Sequence, residues 1–351
     1  MRAQAPSPRR FRSSRPSPGR WIREAARMSS TASRPRLQRL LHPVAPDGRA
    51  RPDAPFGRGP LAARGLAAVI AGAAWLGGRL PASAAHRLAV AGGTLEWAGR
   101  PRKRRTLAVN LGHAVAASPG DAVVRRLVRR EIVNEARRSA DLLWSIDRPH
   151  EVLANTRLEG EGPVQAELAA GRGVILAGPH IGGWEVAVPV PAAVLDSPVS
   201  VLATDDWLAW AVDGIRRRAG LQVVYLTDEP RRMVARLRAG EALLMFADIV
   251  PDARTRTLPV RFLDGTVALP AGPAALARMS GAVIVPLAVL PLDARAWVAH
   301  LGTPIPAPPR RSGSHGEQAA LQQLADDWSA VIREHPDQWA AVYPLAWTVR
   351  G

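Results

Sequence analysis

The chain has 351 residues, 47% of them hydrophobic, no cysteine, and a formal net charge of +17. That apolar content suffices for one large domain or two modest ones. The missing thiols exclude disulfides, thiolate metal sites and cysteine nucleophiles, and the excess of Arg asks for an anionic partner, either nucleic acid or a bilayer surface.

The charge is unevenly spread. Residues 1–60 hold fourteen Arg against Glu24, Asp47 and Asp53, interleaved with Pro, Ser and Gly. Such a stretch buries too little apolar surface to offset the entropy of ordering, so 1–60 reads as a disordered basic tail. "MSSTASRP", from Met28, offers an alternative start within it. Residues 61–150 read as a helical, membrane-associating region. "GLAAVIAGAAWLGG", 65–78, lies between Arg64 and Arg79 and falls short of the roughly 20 residues of a membrane span. A helix lying in the membrane interface and a buried core helix both fit it. In 121–144, Val124, Leu127, Val128, Ile132 and Ala136 form one apolar stripe, with Arg125, Arg126, Arg129 and Arg130 mostly off it. That describes a core-packed helix with a solvated basic face, or one whose basic face meets lipid headgroups.

Residues 151–351 read as an α/β core. Short apolar runs without period-two alternation stand at 173–178, 198–204, 221–227, 241–248, 259–263 and 282–289. Helical stretches lie between several of them, at 184–194, 206–219, 229–239 and 271–280. Buried strands separated by helices predict a largely parallel central sheet flanked by helices. A helix over 316–334 and a Trp-rich tail follow. The eleven Trp, against two Tyr and four Phe, favour a membrane–water interface as the anionic partner, with no nucleic acid.

Several chemistries lack their motifs. There is no G-x-S-x-G elbow, no Walker loop and no H-E-x-x-H, and the eight His are scattered, so no metal site is expected. What remains is "GPHIGGWEVA", 178–187. His180 follows the first strong strand, where open α/β sheets place their ligands. Gly182 and Gly183 permit a tight turn and close backbone approach to a substrate. A helix starting near Gly183 would aim free amides at a developing oxyanion. Five residues correspond to about 140° around a regular helix. His180 must therefore stay in the loop if Glu185, in the first turn, is to fix its tautomer. The other ring nitrogen could then remove a proton from an alcohol. By itself the pattern also fits a buried histidine beside an unrelated carboxylate.

Four segments, in order, carry a resemblance. They are "RLEGEGPVQAELAAGRGVILAGPHIGGWEVA" (157–187), "LRAGEALLMFAD" (237–248), "VRFLDGTVALPAGPAALARMSGAVIVPL" (260–287) and "IREHPDQWAAVYPLAW" (332–347). Together they resemble the lysophospholipid acyltransferase family of lipid A lauroyl/myristoyl acyltransferases and phosphatidylinositol mannoside acyltransferases, over roughly 70–350. The resemblance implies a glycerolipid-acyltransferase-like fold, with His180 as general base and Glu185 as its carboxylate partner. It implies Arg216, with Arg217 and Arg218 competing for the place, near charged groups of the substrate, and Asp248 as a substrate-side residue ending a strand. On the residues alone, Asp248 could equally cap a turn, the three Arg could be a solvated helix end, and Trp339 could be packing. Two departures stand out: Ile249, Val250 and Pro251 follow Asp248, and Ala340, Ala341 and Tyr343 stand where relatives carry Trp, His and Arg. The implied reaction needs no cofactor. It uses acyl-CoA or acyl carrier protein as donor, and a glycolipid or lysophospholipid hydroxyl as acceptor, at the cytoplasmic face of the bacterial inner membrane. A phosphatidylinositol-mannoside-type acceptor comes first. A lipid A precursor, and a non-catalytic lipid-binding protein on the same scaffold, are the alternatives.

Overall fold

A computed structural model describes residues 72–348, except 74, 147, 205–215, 218–219, 227 and 229. The basic tail, most of the apolar segment 65–78 and most of the expected helix 206–219 therefore lie outside the described residues, all of which belong to one compact unit.

After helical residues that end at Gly77 come α1 (Ala82–Ala98), α2 (Pro101–Val115) and α3 (Ala122–Ser145). In α3 the predicted stripe of Val124, Leu127, Val128, Ile132 and Ala136 is buried, while Arg125, Arg126, Arg129 and Arg130 are exposed. This is the pattern expected of a helix packed on a core. No helix among the described residues is long and apolar enough to cross a membrane.

A seven-stranded sheet follows, built from β1 (Thr156–Glu159), β2 (Val174–Gly178), β3 (Val199–Ala203), β4 (Gln222–Tyr225), β5 (Ala242–Phe246), β8 (Val283–Asp293) and β9 (Ala296–Leu301). Its spatial order is β1-β9-β8-β2-β5-β3-β4. Only β8–β9 is antiparallel; every other pair is parallel. β2 is buried along its whole length because helices cover both faces, which is why its sequence is an unbroken apolar run. The two faces carry separate cores. One holds Leu107, Val124, Ile175, Ile284 and Trp328; the other holds Trp144, Leu176, Val190 and Trp297.

The largely parallel sheet expected from the sequence is present, with three differences. The run 259–263 is not a member of it. β6 (Thr257–Phe262) pairs antiparallel with β7 (Gly265–Pro270) as a separate hairpin. Strands β1, β7 and β9 had no counterpart in the sequence reading. The expected helix 184–194 is regular only as α6 (Pro189–Val194), and residues 182–188 are a series of turns. Pro189 explains this. Proline has no N–H to bond the carbonyl four residues back, but its fixed φ suits the first turn, so the regular helix starts there. Elsewhere punctuation and structure agree. α8 (Gly272–Ser280) carries a proline in its first turn and ends on Gly281 at φ 88°. The chain also holds α4 (Pro149–Ala154), α5 (Glu161–Ala169), α7 (Pro230–Arg238) and the long α9 (Gly313–Glu334).

Candidate active site

The register of the sheet assembles the site. β2 and β5 are parallel neighbours, with Gly178 opposite Phe246. Each chain then runs on two residues, to His180 and to Asp248, so the two side chains leave the sheet side by side. His180 Nδ1 lies 2.5 Å from Asp248 Oδ1, and the backbone N–H of His180 donates to Asp248 Oδ2 at 3.1 Å. Trp339 Nε1 donates to the same Oδ2 at 2.9 Å.

Asp248 is 2% exposed. Burial pushes its carboxyl up, but the charge of His180 and the hydrogen bonds from the His180 ring, Trp339 and the His180 backbone outweigh this and hold it below the usual carboxylate range. An ionised carboxylate can only accept. Nδ1 of His180 must therefore carry a proton towards Asp248, and in the neutral ring it is Nε2 that holds the lone pair. The ring is boxed by Trp184, edge-on at 4.5 Å, and Phe246 at 5.3 Å. These contacts fix its plane.

Glu185, which the sequence reading paired with the imidazole, does something else. Among the described residues no hydrogen bond joins it to the ring. Its Oε1 accepts from Arg216 Nη2 at 3.0 Å. The geometric reason is the turn series 182–188, which carries Glu185 away from His180 while β5 delivers a nearer carboxylate. Of the three competing arginines, Arg216 lines the cleft, Arg217 is exposed, and Arg218 lies outside the described residues.

The two glycines form the expected tight turn. Gly182 sits at φ 56°, and a Cβ there would stand 2.0 Å from the Val289 carbonyl; a Cβ on Gly183 would strike the Trp297 ring. They are needed for packing the loop against β8 and β9, and both also line the cleft. The oxyanion site expected at a helix starting near Gly183 is not formed by a regular helix. Residues 183–187 close only a single turn, through Ala187 N to Gly183 O at 3.0 Å.

The segment after α9 locks the site. Ile181 and Trp339 form an antiparallel bridge. Ala340 N donates to His180 O at 2.8 Å, and Gly182 N to Gln338 O at 2.9 Å. Trp339 is thus both packing and a hydrogen-bond donor to the carboxylate that holds His180; its sequence signal was the H-P-x-Q-W pattern. This tail is tied in turn to α2, where Asn110 Nδ2 donates to the carbonyls of Ala341 and Tyr343.

His180 opens into a cleft of about 840 Å³. One part is apolar, with Val201, Leu226, Met233, Met245, Leu276 and Met279. Ile249, Val250 and Pro251 continue that character, and Ala340 and Tyr343 stand at the other side. The polar part includes Glu135, Arg138, Ser139, Glu185, Arg216 and Arg256. A histidine oriented by a buried carboxylate, in a cleft lined by apolar side chains and several arginines, can activate a hydroxyl beside a long hydrocarbon chain.

Residues 62–345 match the family described as bacterial lipid A biosynthesis acyltransferase. The chain is similar to a phosphatidylinositol mannoside acyltransferase of Mycolicibacterium smegmatis, with 28% identity over 267 residues, covering 73% of this chain and 83% of that protein. A Mycobacterium tuberculosis protein of the same name is 27% identical over 189 residues, which span 52% of this chain and 57% of that one. The match to the family runs through the helices, the sheet and the segment that carries Trp339, so the chain belongs to the bacterial lipid A biosynthesis acyltransferase family.

Proposed function

We propose that the protein moves a fatty acyl group from an acyl thioester, acyl-CoA or acyl carrier protein, to a hydroxyl of a glycolipid of the phosphatidylinositol-mannoside type. The reaction takes place on the cytoplasmic face of the bacterial plasma membrane. His180 Nε2 takes the proton of the acceptor hydroxyl, and the oxygen attacks the thioester carbonyl. The tetrahedral adduct collapses to the ester, and the thiolate leaves with the proton returned from Nε2. Asp248 holds the productive tautomer and offsets the imidazolium charge. Glu185 holds Arg216 at the polar rim. The apolar part of the cleft takes the acyl chain. The transfer is direct, and neither a cofactor nor a metal ion takes part.

The observation that carries this reading is the 2.5 Å contact between His180 and a buried carboxylate at the mouth of an apolar cleft. The acceptor rests on the names of the relatives. The membrane reading is supported by α1, whose Leu88 and Leu95 are 62% and 77% exposed, and by Trp75, half-exposed beneath the Arg79 guanidinium at 3.7 Å.

The test uses purified protein with palmitoyl-CoA, and then palmitoyl-acyl carrier protein, against phosphatidylinositol mannosides, lipid A precursors and lysophospholipids. Transfer to the mannosides that is lost in His180→Ala supports the reading. Transfer that survives in the variant removes His180 from its role, and transfer only to another acceptor replaces the substrate assignment.

A further inference from the structure

Helix α3 contributes to both cores, with Val124, Leu127 and Ile132 on one face of the sheet and Trp144 on the other. Between these anchors Glu135, Arg138, Ser139 and Leu142 form a wall of the cleft. Arg138 is the cation of that wall, with its side chain 14% exposed. Its Nη2 donates to Glu131 Oε1 at 2.7 Å, and its Nη1 to the Gln338 carbonyl at 3.3 Å. That same carbonyl accepts the N–H of Gly182, two residues beyond His180. The guanidinium is therefore pinned beside the catalytic loop.

A guanidinium has five N–H donors in a planar fork. Two are engaged here, and the others make no hydrogen bond among the described residues. Glu131 is a weak counter-ion. Burial pushes its carboxyl up to about 7, against the pull of Arg138, so near neutrality it is only partly ionised. The neighbouring Glu135 is engaged by Lys103 at 2.8 Å. A fixed, under-compensated fork facing a ligand cleft suits an oxyanion that accepts two hydrogen bonds at once.

We infer that Arg138 binds a phosphate group of a substrate in this cleft. The inference rests on the acyl-transfer reading for the kind of anion, because both substrates of that reaction carry phosphate. One source is the phosphodiester of the acceptor headgroup, and the other is the phosphate of the donor's carrier. Arg138 thereby sets which substrate end lies on the α3 side of His180.

The test measures binding of two soluble probes, coenzyme A and glycerophosphoinositol, to the full chain by calorimetry. The proteins are wild type, Glu131→Gln and the double variant Glu131→Gln/Arg138→Met. The double variant removes the cation without leaving a buried carboxylate unpaired, and its melting temperature is compared with that of Glu131→Gln to establish that it folds. The expected result is a loss of about tenfold or more in affinity for one probe in the double variant only. Loss for coenzyme A assigns the phosphate to the donor; loss for glycerophosphoinositol assigns it to the acceptor. Binding of both probes unchanged in a folded double variant, or binding of neither probe to wild type, overturns the inference. So does a fall in kcat with KM for both substrates unaltered, which marks Arg138 as only a prop for Gln338. Probe binding that depends on Arg138 in a protein without transferase activity keeps the phosphate site and removes the proposed function.

Discussion

His180 depends on a carboxylate 68 residues away in the chain, and the exchange of Glu185 for Asp248 in that role has measurable consequences. Asp248→Asn keeps the shape but favours the wrong tautomer. It is expected to lower kcat by about three orders of magnitude with little change in KM. Glu185→Gln leaves the ring oriented and loosens Arg216, so steady-state kinetics are expected to show a rise in KM larger than the fall in kcat. Equal kcat losses in the two variants would return Glu185 to the imidazole. Gly182→Ala forces a side chain into both a left-handed backbone and the Val289 carbonyl, which is expected to cost about 2 kcal/mol or more in a urea melt. Position 180 was legible as a cleft residue from its place after a strand. Its partner was not, because adjacency of β2 and β5 is a fact of the sheet, and local spacing pointed to the nearest acid.

At the scale of elements, legibility followed burial. β2, β5 and β8 are covered on both faces and announce themselves as unbroken apolar runs. β1, "TRLE", alternates buried and exposed over only four residues, too short to stand out. β6, "TLPVRF", differs from those runs, with Pro259 and Arg261 exposed on either side of the buried Val260, and it pairs with the adjacent β7, so it was read correctly as a strand and wrongly as a member of the central sheet. α3 was legible as a stripe, yet its fully buried Glu131 was not, since a single acid on an amphipathic helix is normally solvated. That burial has a pH signature. The Glu131 carboxyl is raised from 4.5 to about 7 in the folded state, so between those values the folded protein holds a proton that the unfolded chain releases. Stability from this group is therefore full at low pH and falls as pH rises through that window, by up to about 3 kcal/mol. Urea titrations from pH 4.5 to 8 are expected to show that decline in wild type relative to Glu131→Gln. Parallel curves for the two proteins would contradict it.

At the scale of the whole molecule, two exposed large apolar side chains, Leu88 and Leu95, stand on α1 outside both cores. Leu88→Glu together with Leu95→Glu is expected to weaken co-sedimentation with anionic vesicles several-fold, while leaving the melting temperature within about 2 °C, because neither side chain is in a core. Vesicle binding unchanged by the pair would move the membrane contact elsewhere. The largely parallel sheet flanked by helices was legible in the sequence. The way the tail after α9 returns to bridge Ile181 was not, because a Trp-rich stretch declares burial without declaring its neighbour. The pairing of β2 with β5 has a kinetic meaning as well. Neither strand alone holds a working dyad, and the loop closed between them is long, so such contacts form late and slowly. When denaturant is diluted away, the return of acyl transfer should lag behind the return of helical circular dichroism, and the contact between His180 and Asp248 becomes a built-in clock for the moment the centre of the sheet zips shut.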